Sequence, residues 1–216
     1  SVPLVWILSN SHTANNYESV FQVIKQLTAN RFRPKVLLAD FEEALRNGFC
    51  RVFTGVSFFG DLFHFLHANI KWLRSHSLSE FAQPFTAMLR IIWRYVSYTE
   101  FQYNVGELIK FLKPMIPHYV EYFESIWLNR HSPSHWAYFS RQHLYPSGDQ
   151  ALEAYHNRLN SVVLEKDREA LDVLVTKLWN EQIYYARIVN TPELLQQKLK
   201  ETEMSKQKAS RRTLKD

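Results

Sequence analysis

The architecture of this chain turns on Pro34–Asp61, PKVLLADFEEALRNGFCRVFTGVSFFGD. Its first apolar run, Lys35–Ala39 (KVLLA), has the length and composition of a short buried strand. Asp40 follows at the carboxyl end of that strand. Phe41–Asn47 then has the spacing of a short helix, which Gly48 would close. After Gly55 the run VSFF, Val56–Phe59, is a further candidate strand. Upstream, Val2–Ser9 predicts another buried strand. Asn15 or Asn16 is placed to cap a helix whose apolar residues Tyr17, Val20, Phe21, Ile24 and Leu27 recur at three and four. Strand, helix, strand at that spacing predicts a βαβ unit with parallel strands and a right-handed crossover. Ligands gather at the carboxyl edge of such sheets, because loops and helix N-termini converge there. Asp40 therefore has two readings, a working carboxylate at that edge or the N-cap of the next helix.

Downstream, Gly60–Arg74 (GDLFHFLHANIKWLR) sets Asp61 three residues before His64 and six before His67 in an otherwise apolar run. Spacing alone permits a metal site, an aspartate–histidine pair or the polar edge of a helix. Zinc wants three or four convergent ligands, and this stretch offers at most three. From Asp61 to about Asn190 almost every segment has helical periodicity, and most of Trp72, Trp93, Trp127, Trp136 and Trp179 are expected to pack in the core or between helices. Two breaks interrupt it, His131-Ser-Pro-Ser-His135 and Tyr145-Pro-Ser-Gly148. A helix over Ala151–Val163 follows, with Glu153, His156, Asn157 and Asn160 on a polar stripe opposite Leu152, Tyr155 and Leu159.

With 216 residues, 46% hydrophobic and 15% aromatic, the chain can build a substantial core. Cys50 is the single cysteine, which excludes an intrachain disulfide and a cysteine-based zinc cluster and favours a reducing compartment. The apolar runs are too short to span a bilayer, so no membrane partner is expected. A net charge of +5 and pI near 9.2 suit an anionic partner without requiring one. Lys206, Lys208, Arg211, Arg212 and Lys215 crowd the C-terminal end and read as a solvated tail, with a phosphate-gripping arm as the alternative. The chain starts without Met, directly on a predicted strand, and reads as a fragment of a longer protein.

Four stretches, in order, resemble the catalytic domain of Mutator-like element (MULE) transposases, a branch of the DDE nucleotidyltransferases. VPLVWILSNSHTANNYESVFQVI is similar to the family's strand and tyrosine-bearing helix. PKVLLADFEEALRNGFCRVF resembles the segment with the second catalytic acid, which would be Asp40. GDLFHFLHANI resembles a C/D-x-x-H signature with Asp61 and His64 in the named positions. GDQALEAYHNRLNS resembles the helix with the catalytic glutamate, which would be Glu153.

The resemblance implies a ribonuclease H-like α/β core, incomplete because its first strands are missing, with a large all-helical insertion and a helical C-terminal part. Core strands and helices would occupy residues 1–60 and the insertion 61–148. The glutamate helix and its successor would occupy 149–190, and a charged helix with the basic tail 191–216. It further implies Mg²⁺- or Mn²⁺-dependent cleavage and transfer of DNA strands in the nucleus, acting on transposon ends and target DNA, with a homo-oligomer as a further expectation. Asp40 and Glu153 would hold metal, with carboxylates on the order of 4–8 Å apart. Asp61, His64, His156 and Asn157 would orient those acids or position DNA. The chain departs from the family in three places. Thr54 stands where a proline is common. The DNA-binding zinc module and the first catalytic aspartate are absent, so this chain alone is expected to be inactive. A catalytically inactive, domesticated remnant acting as a DNA-associated regulator or helical interaction module is the competing expectation.

Overall fold

The computed structural model describes residues 5–142, 159, 170–197, 200 and 201. The chain divides into two units, Ser9–Gln150 and Ser1–Leu8 with Ala151–Asp216. The described fold is a mostly helical α/β arrangement with a small parallel sheet of two strands.

In the unit Ser9–Gln150, helix α1 (Ala14–Leu27) is capped by Thr13, whose hydroxyl accepts from the Asn16 N–H at 3.3 Å. The predicted caps, Asn15 and Asn16, do not serve. The Asn16 amide is drawn upstream instead, to Ser9 Oγ at 2.7 Å and the Ser11 carbonyl at 2.9 Å. Strand β1 (Val36–Ala39), helix α2 (Glu43–Val52) and strand β2 (Ser57–Gly60) follow. The strands pair in parallel with Val36 opposite Ser57 and Ala39 opposite Gly60. Parallel neighbours need a crossover, and α2 supplies it. Gly55 makes the turn into β2 with φ 75, a conformation that disfavours other residues.

The βαβ unit is therefore β1–α2–β2, one element later than the periodicity suggested. The predicted strand at Val2–Ser9 is not formed over its described part: residues 5–9 are irregular, and Val5, Ile7 and Leu8 are 46–55% exposed. A strand needs a neighbour for its N–H and C=O groups. Here the apolar side chains are used differently. In the other unit, Trp6 packs with Leu159, Leu174, Leu178 and Tyr185, the last three on helix α7 (Leu171–Asn190).

Helix α2 also runs through Gly48, where the sequence predicts its end. The residue is needed for close approach: a Cβ there would lie 2.6 Å from Tyr17 Cβ and 2.7 Å from the Ala14 carbonyl. Helices α1 and α2 thus meet backbone to backbone over a small core of Phe49, Val52 and Phe53 with Phe21, Leu37 and Val56. Phe21 meets Phe49 edge-on at 4.8 Å.

Beyond β2 the chain is helical: α3 (Leu62–Ser75), α4 (Ala82–Trp93), α5 (Tyr98–Leu112) and α6 (Pro117–Phe123), which widens into a π-helical stretch over Glu124–Arg130. Their apolar faces share one aromatic-rich core. Phe65 stacks on Trp136 at 4.4 Å and meets Trp127 edge-on at 4.7 Å. The Trp136 ring N–H donates to the Trp127 carbonyl at 2.7 Å, so a large indole is buried without an orphan donor. Buried Asn69 is satisfied in the same way: it donates to the Phe65 carbonyl at 2.7 Å and accepts from the Tyr119 hydroxyl at 2.8 Å. Trp72, Trp93, Trp127 and Trp136 take the packing role expected of them. Trp179, on α7, does not; it is 66% exposed. Among the described residues no helix is long and apolar enough to cross a membrane.

Candidate functional site

Because Ala39 pairs with Gly60, the next residues, Asp40 and Asp61, emerge at one level on adjacent strands at the carboxyl edge of the sheet. The Asp61 N–H donates to the Ala39 carbonyl at 2.9 Å and extends the ladder by one bond. Neighbouring strands run about 4.8 Å apart, so two acids start from almost the same place.

Asp40 is half-buried and is not a helix cap. The N-cap position of α2 falls on Glu42, with no side-chain cap bond. Among the described residues Asp40 makes no side-chain hydrogen bond or ion pair. Beside it lies a polar network carried by α1 and the start of α2. The Tyr17 hydroxyl donates to Glu42 at 3.0–3.2 Å, and His12 Nδ1 lies 3.0 Å from the phenol oxygen and 3.8 Å from Glu42 Oε1. Burial raises the pKa of Tyr17, helped by its bond to Glu42 and by the charges of Glu42 and Asp40. The close approach at Gly48 is what seats Tyr17 against this edge.

Asp61 has a different environment. It is 1% exposed, and its Oδ2 accepts the His64 backbone N–H at 3.1 Å, which makes it the N-cap of α3. The spacing Asp-x-x-His thus has the bond geometry of a helix start. Its charge faces Arg141, which is fully buried and donates to the carbonyls of Gly60 (2.7 Å), His135 (2.9 Å) and Trp136 (3.0 Å). The guanidinium also lies over the rings of Phe59 and Trp93, at 5.2 and 5.9 Å. Burial lowers the Arg141 pKa to about 10, and the Asp61 carboxylate opposes that shift. His64 is half-buried with its ring 5.6 Å from Phe63, and His67 is exposed against the same phenylalanine.

Neither a protein-family model, nor a curated protein, nor a solved structure gives a significant match to this chain. Glu153, His156 and Asn157 lie outside the described residues, as do Tyr145–Gly148 and the basic tail. Among the described residues no three His, Cys, Asp or Glu side chains are grouped to hold a metal. Of the acids expected there, the described part contributes Asp40 alone.

Residues that sequence reasoning did not single out carry much of this geometry. Glu42 and His12 had no signal beyond their polarity. Arg141 follows an aromatic run, Tyr138–Phe139, next to a break in helical periodicity, and nothing in that pattern marks a buried charge. The two histidines of the first break are buried in part: His131 is 7% exposed, between Phe41 and Trp127 at 4.9 and 5.3 Å. Burial lowers the pKa of both His131 and His135, with nearby arginine charge adding to it.

Proposed function

We propose that this chain is part of the catalytic domain of a DDE-type transposase of the Mutator-like branch, built on a ribonuclease H-like core, which cleaves and transfers DNA strands with Mg²⁺ or Mn²⁺. The observation that carries this is Asp40, a half-exposed carboxylate at the carboxyl end of a parallel strand, spent on neither a helix cap nor an ion pair. A hard cation prefers such an oxygen ligand. The run of helices after β2, where the family carries its insertion, adds support.

In this reading Asp40 and Glu153 would be the residues that hold Mg²⁺ or Mn²⁺, and the bound metal would supply Lewis-acid activation for cleavage of the phosphodiester. Asp61 and Arg141 keep the end of β2 and the start of α3 in place, so that Asp40 stands on a rigid edge. Tyr17 and Glu42 flank Asp40, and their hydrogen bond fixes the wall of the site on the α1 side. DNA is the partner and the nucleus the place of action.

The test joins the chain to an upstream segment bearing the first aspartate. That protein is expected to nick DNA bearing the element's ends in Mg²⁺, and Asp40→Asn is expected to abolish nicking. The 216-residue chain alone is expected not to cleave, yet Mn²⁺ should broaden the NMR signals around Asp40 and Glu153 and leave them sharp in Asp40→Ala. Nicking that survives Asp40→Asn overturns the proposal. DNA binding without nicking would favour the domesticated remnant.

A further inference from the structure

A cavity lies along β2, apart from the Asp40 edge. It has a volume of about 550 Å³ and is lined by Arg46 and Cys50 from α2, Val56 just before β2, Ser57–Phe59 from β2, and Ser134, His135 and Ser140 from the turns after the π-helical stretch. That size suits a small ligand. Arg46 and Cys50 stand one turn apart on α2 and face the cavity together. The Arg46 guanidinium lies 5.5 Å over the Phe58 ring, and the His135 ring meets the same phenylalanine edge-on at 5.5 Å.

The wall has positive charge and hydrogen-bond donors but no carboxylate. Arg46 has no ion pair among the described residues. The acid that feels its charge, Glu43, is hydrogen-bonded to Arg130 at 2.8 Å. His135 Nδ1 is buried without a hydrogen-bond partner, a state that costs free energy and calls for an explanation. The Ser140 hydroxyl is used on the Ala137 carbonyl, and Ser134 shares a hydrogen bond with Ser132 at the cavity mouth.

We propose that this cavity binds a phosphate group, with Arg46 and His135 as the principal donors and Ser57 and Ser134 at the mouth. A planar carboxylate is satisfied by one arginine fork. Donors converging from α2, β2 and the 134–135 turn suit the oxygens of a tetrahedral anion better. The inference goes beyond the proposed function and requires neither Asp40 nor a metal. The phosphate comes from a free phosphorylated molecule or from a nucleic-acid backbone, and the test separates the two.

The intact chain is titrated with inorganic phosphate and, separately, with a short single-stranded DNA, while the NMR signals of Arg46, His135 and Ser134 are followed. Saturable shifts with phosphate identify a site for free phosphate. Saturation by the oligonucleotide where equal phosphate has little effect identifies a backbone site. In either case Arg46→Gln should weaken binding roughly tenfold or more, with Arg46→Lys in between. Ser134 is exposed, so Ser134→Glu leaves the core alone while setting a like charge at the mouth, and it decides the matter if Arg46→Gln fails to fold. Absence of a saturable shift with both ligands, or shifts unchanged in Ser134→Glu, overturns the proposal. Failure of the chain joined to its upstream segment to nick DNA, with phosphate binding retained, would count against the transposase proposal alone.

Discussion

Asp40 and Asp61 leave the sheet side by side, at the ends of β1 and β2, yet their surroundings commit them to different work. Asp61 is 1% exposed, caps α3 and faces a fully buried arginine. Asp40 is half-buried and, among the described residues, makes no bond or ion pair through its side chain. A charge taken fully out of water must be paired, and once paired it is occupied. An acid that keeps part of its hydration stays available for a ligand. Position at the carboxyl edge therefore does not separate a working carboxylate from a structural one; burial and partners do.

That contrast is exposed to direct tests, the largest effect first. Asp61→Ala removes a cap and leaves the Arg141 charge without its counter-charge, and should lower unfolding stability by about 3–5 kcal/mol in urea titrations. Asp61→Asn keeps an acceptor for the His64 N–H, so the gap between the two variants separates the cap from the charge. A loss under about 1 kcal/mol in Asp61→Ala would show that the ion pair is dispensable.

Gly48→Ala should cost about 1–3 kcal/mol, because the new methyl meets the α1 backbone and Tyr17. It should also change the environment of Tyr17, read as a shift in its phenol titration. An unchanged titration would show that the α1–α2 contact does not set the Asp40 side of the edge.

A smaller effect is expected with pH. His131 and His135 have pKa values lowered by burial, assisted by the charges of Arg130 and Arg46 and opposed at His131 by Glu43. In the unfolded chain they take protons near pH 6.5, and in the folded chain only at lower pH. Stability should hold above about pH 6.5 and fall as the pH drops from there through the folded values. Urea midpoints at decreasing pH read the slope, and His131→Phe should flatten it. A midpoint insensitive to pH would mean that these rings are hydrated.

The smallest effect closes the comparison. Asp40→Ala should change stability by no more than about 0.5 kcal/mol. A loss near that of Asp61→Ala would erase the distinction between the two strand ends.

Several features were legible in local sequence because local physics sets them. KVLLA and VSFF are short apolar runs bounded by breakers, and both became strands within a residue of their predicted bounds. The aromatic helices after Asp61 follow from a three-and-four spacing that only a helix places on one face. The spacing of Asp61 to His64 left a metal site, an aspartate–histidine pair and a helix edge open, and only the fold makes Asp61 the N-cap of α3. The site was less legible. Asp40 could be set at a strand end, but its freedom from capping depends on where α2 starts, and helix starts are poorly marked when two glutamates follow a phenylalanine. Nothing in the pattern foretold that Tyr17 and Glu42 would meet across 25 residues.

By itself, the sequence determined the strand–helix–strand order from Lys35 to Phe59, the helical run that follows and the availability of acids at the ends of both strands. These depend on side-chain periodicity and turn chemistry, which act over a few residues. The tertiary structure alone decided which elements pair and which charges are buried. Residues 5–9 have the composition of a strand but pair with no strand among the described residues, and Trp6 packs on α7. Gly48 has the look of a helix end, but α1 crosses there too closely for a side chain. Arg141 is buried because the Gly60 carbonyl and the Asp61 charge, from the end of β2, join the nearby carbonyls of His135 and Trp136 around it. Hydrogen-bond partners and desolvation are properties of the assembled chain, and no window of residues contains them.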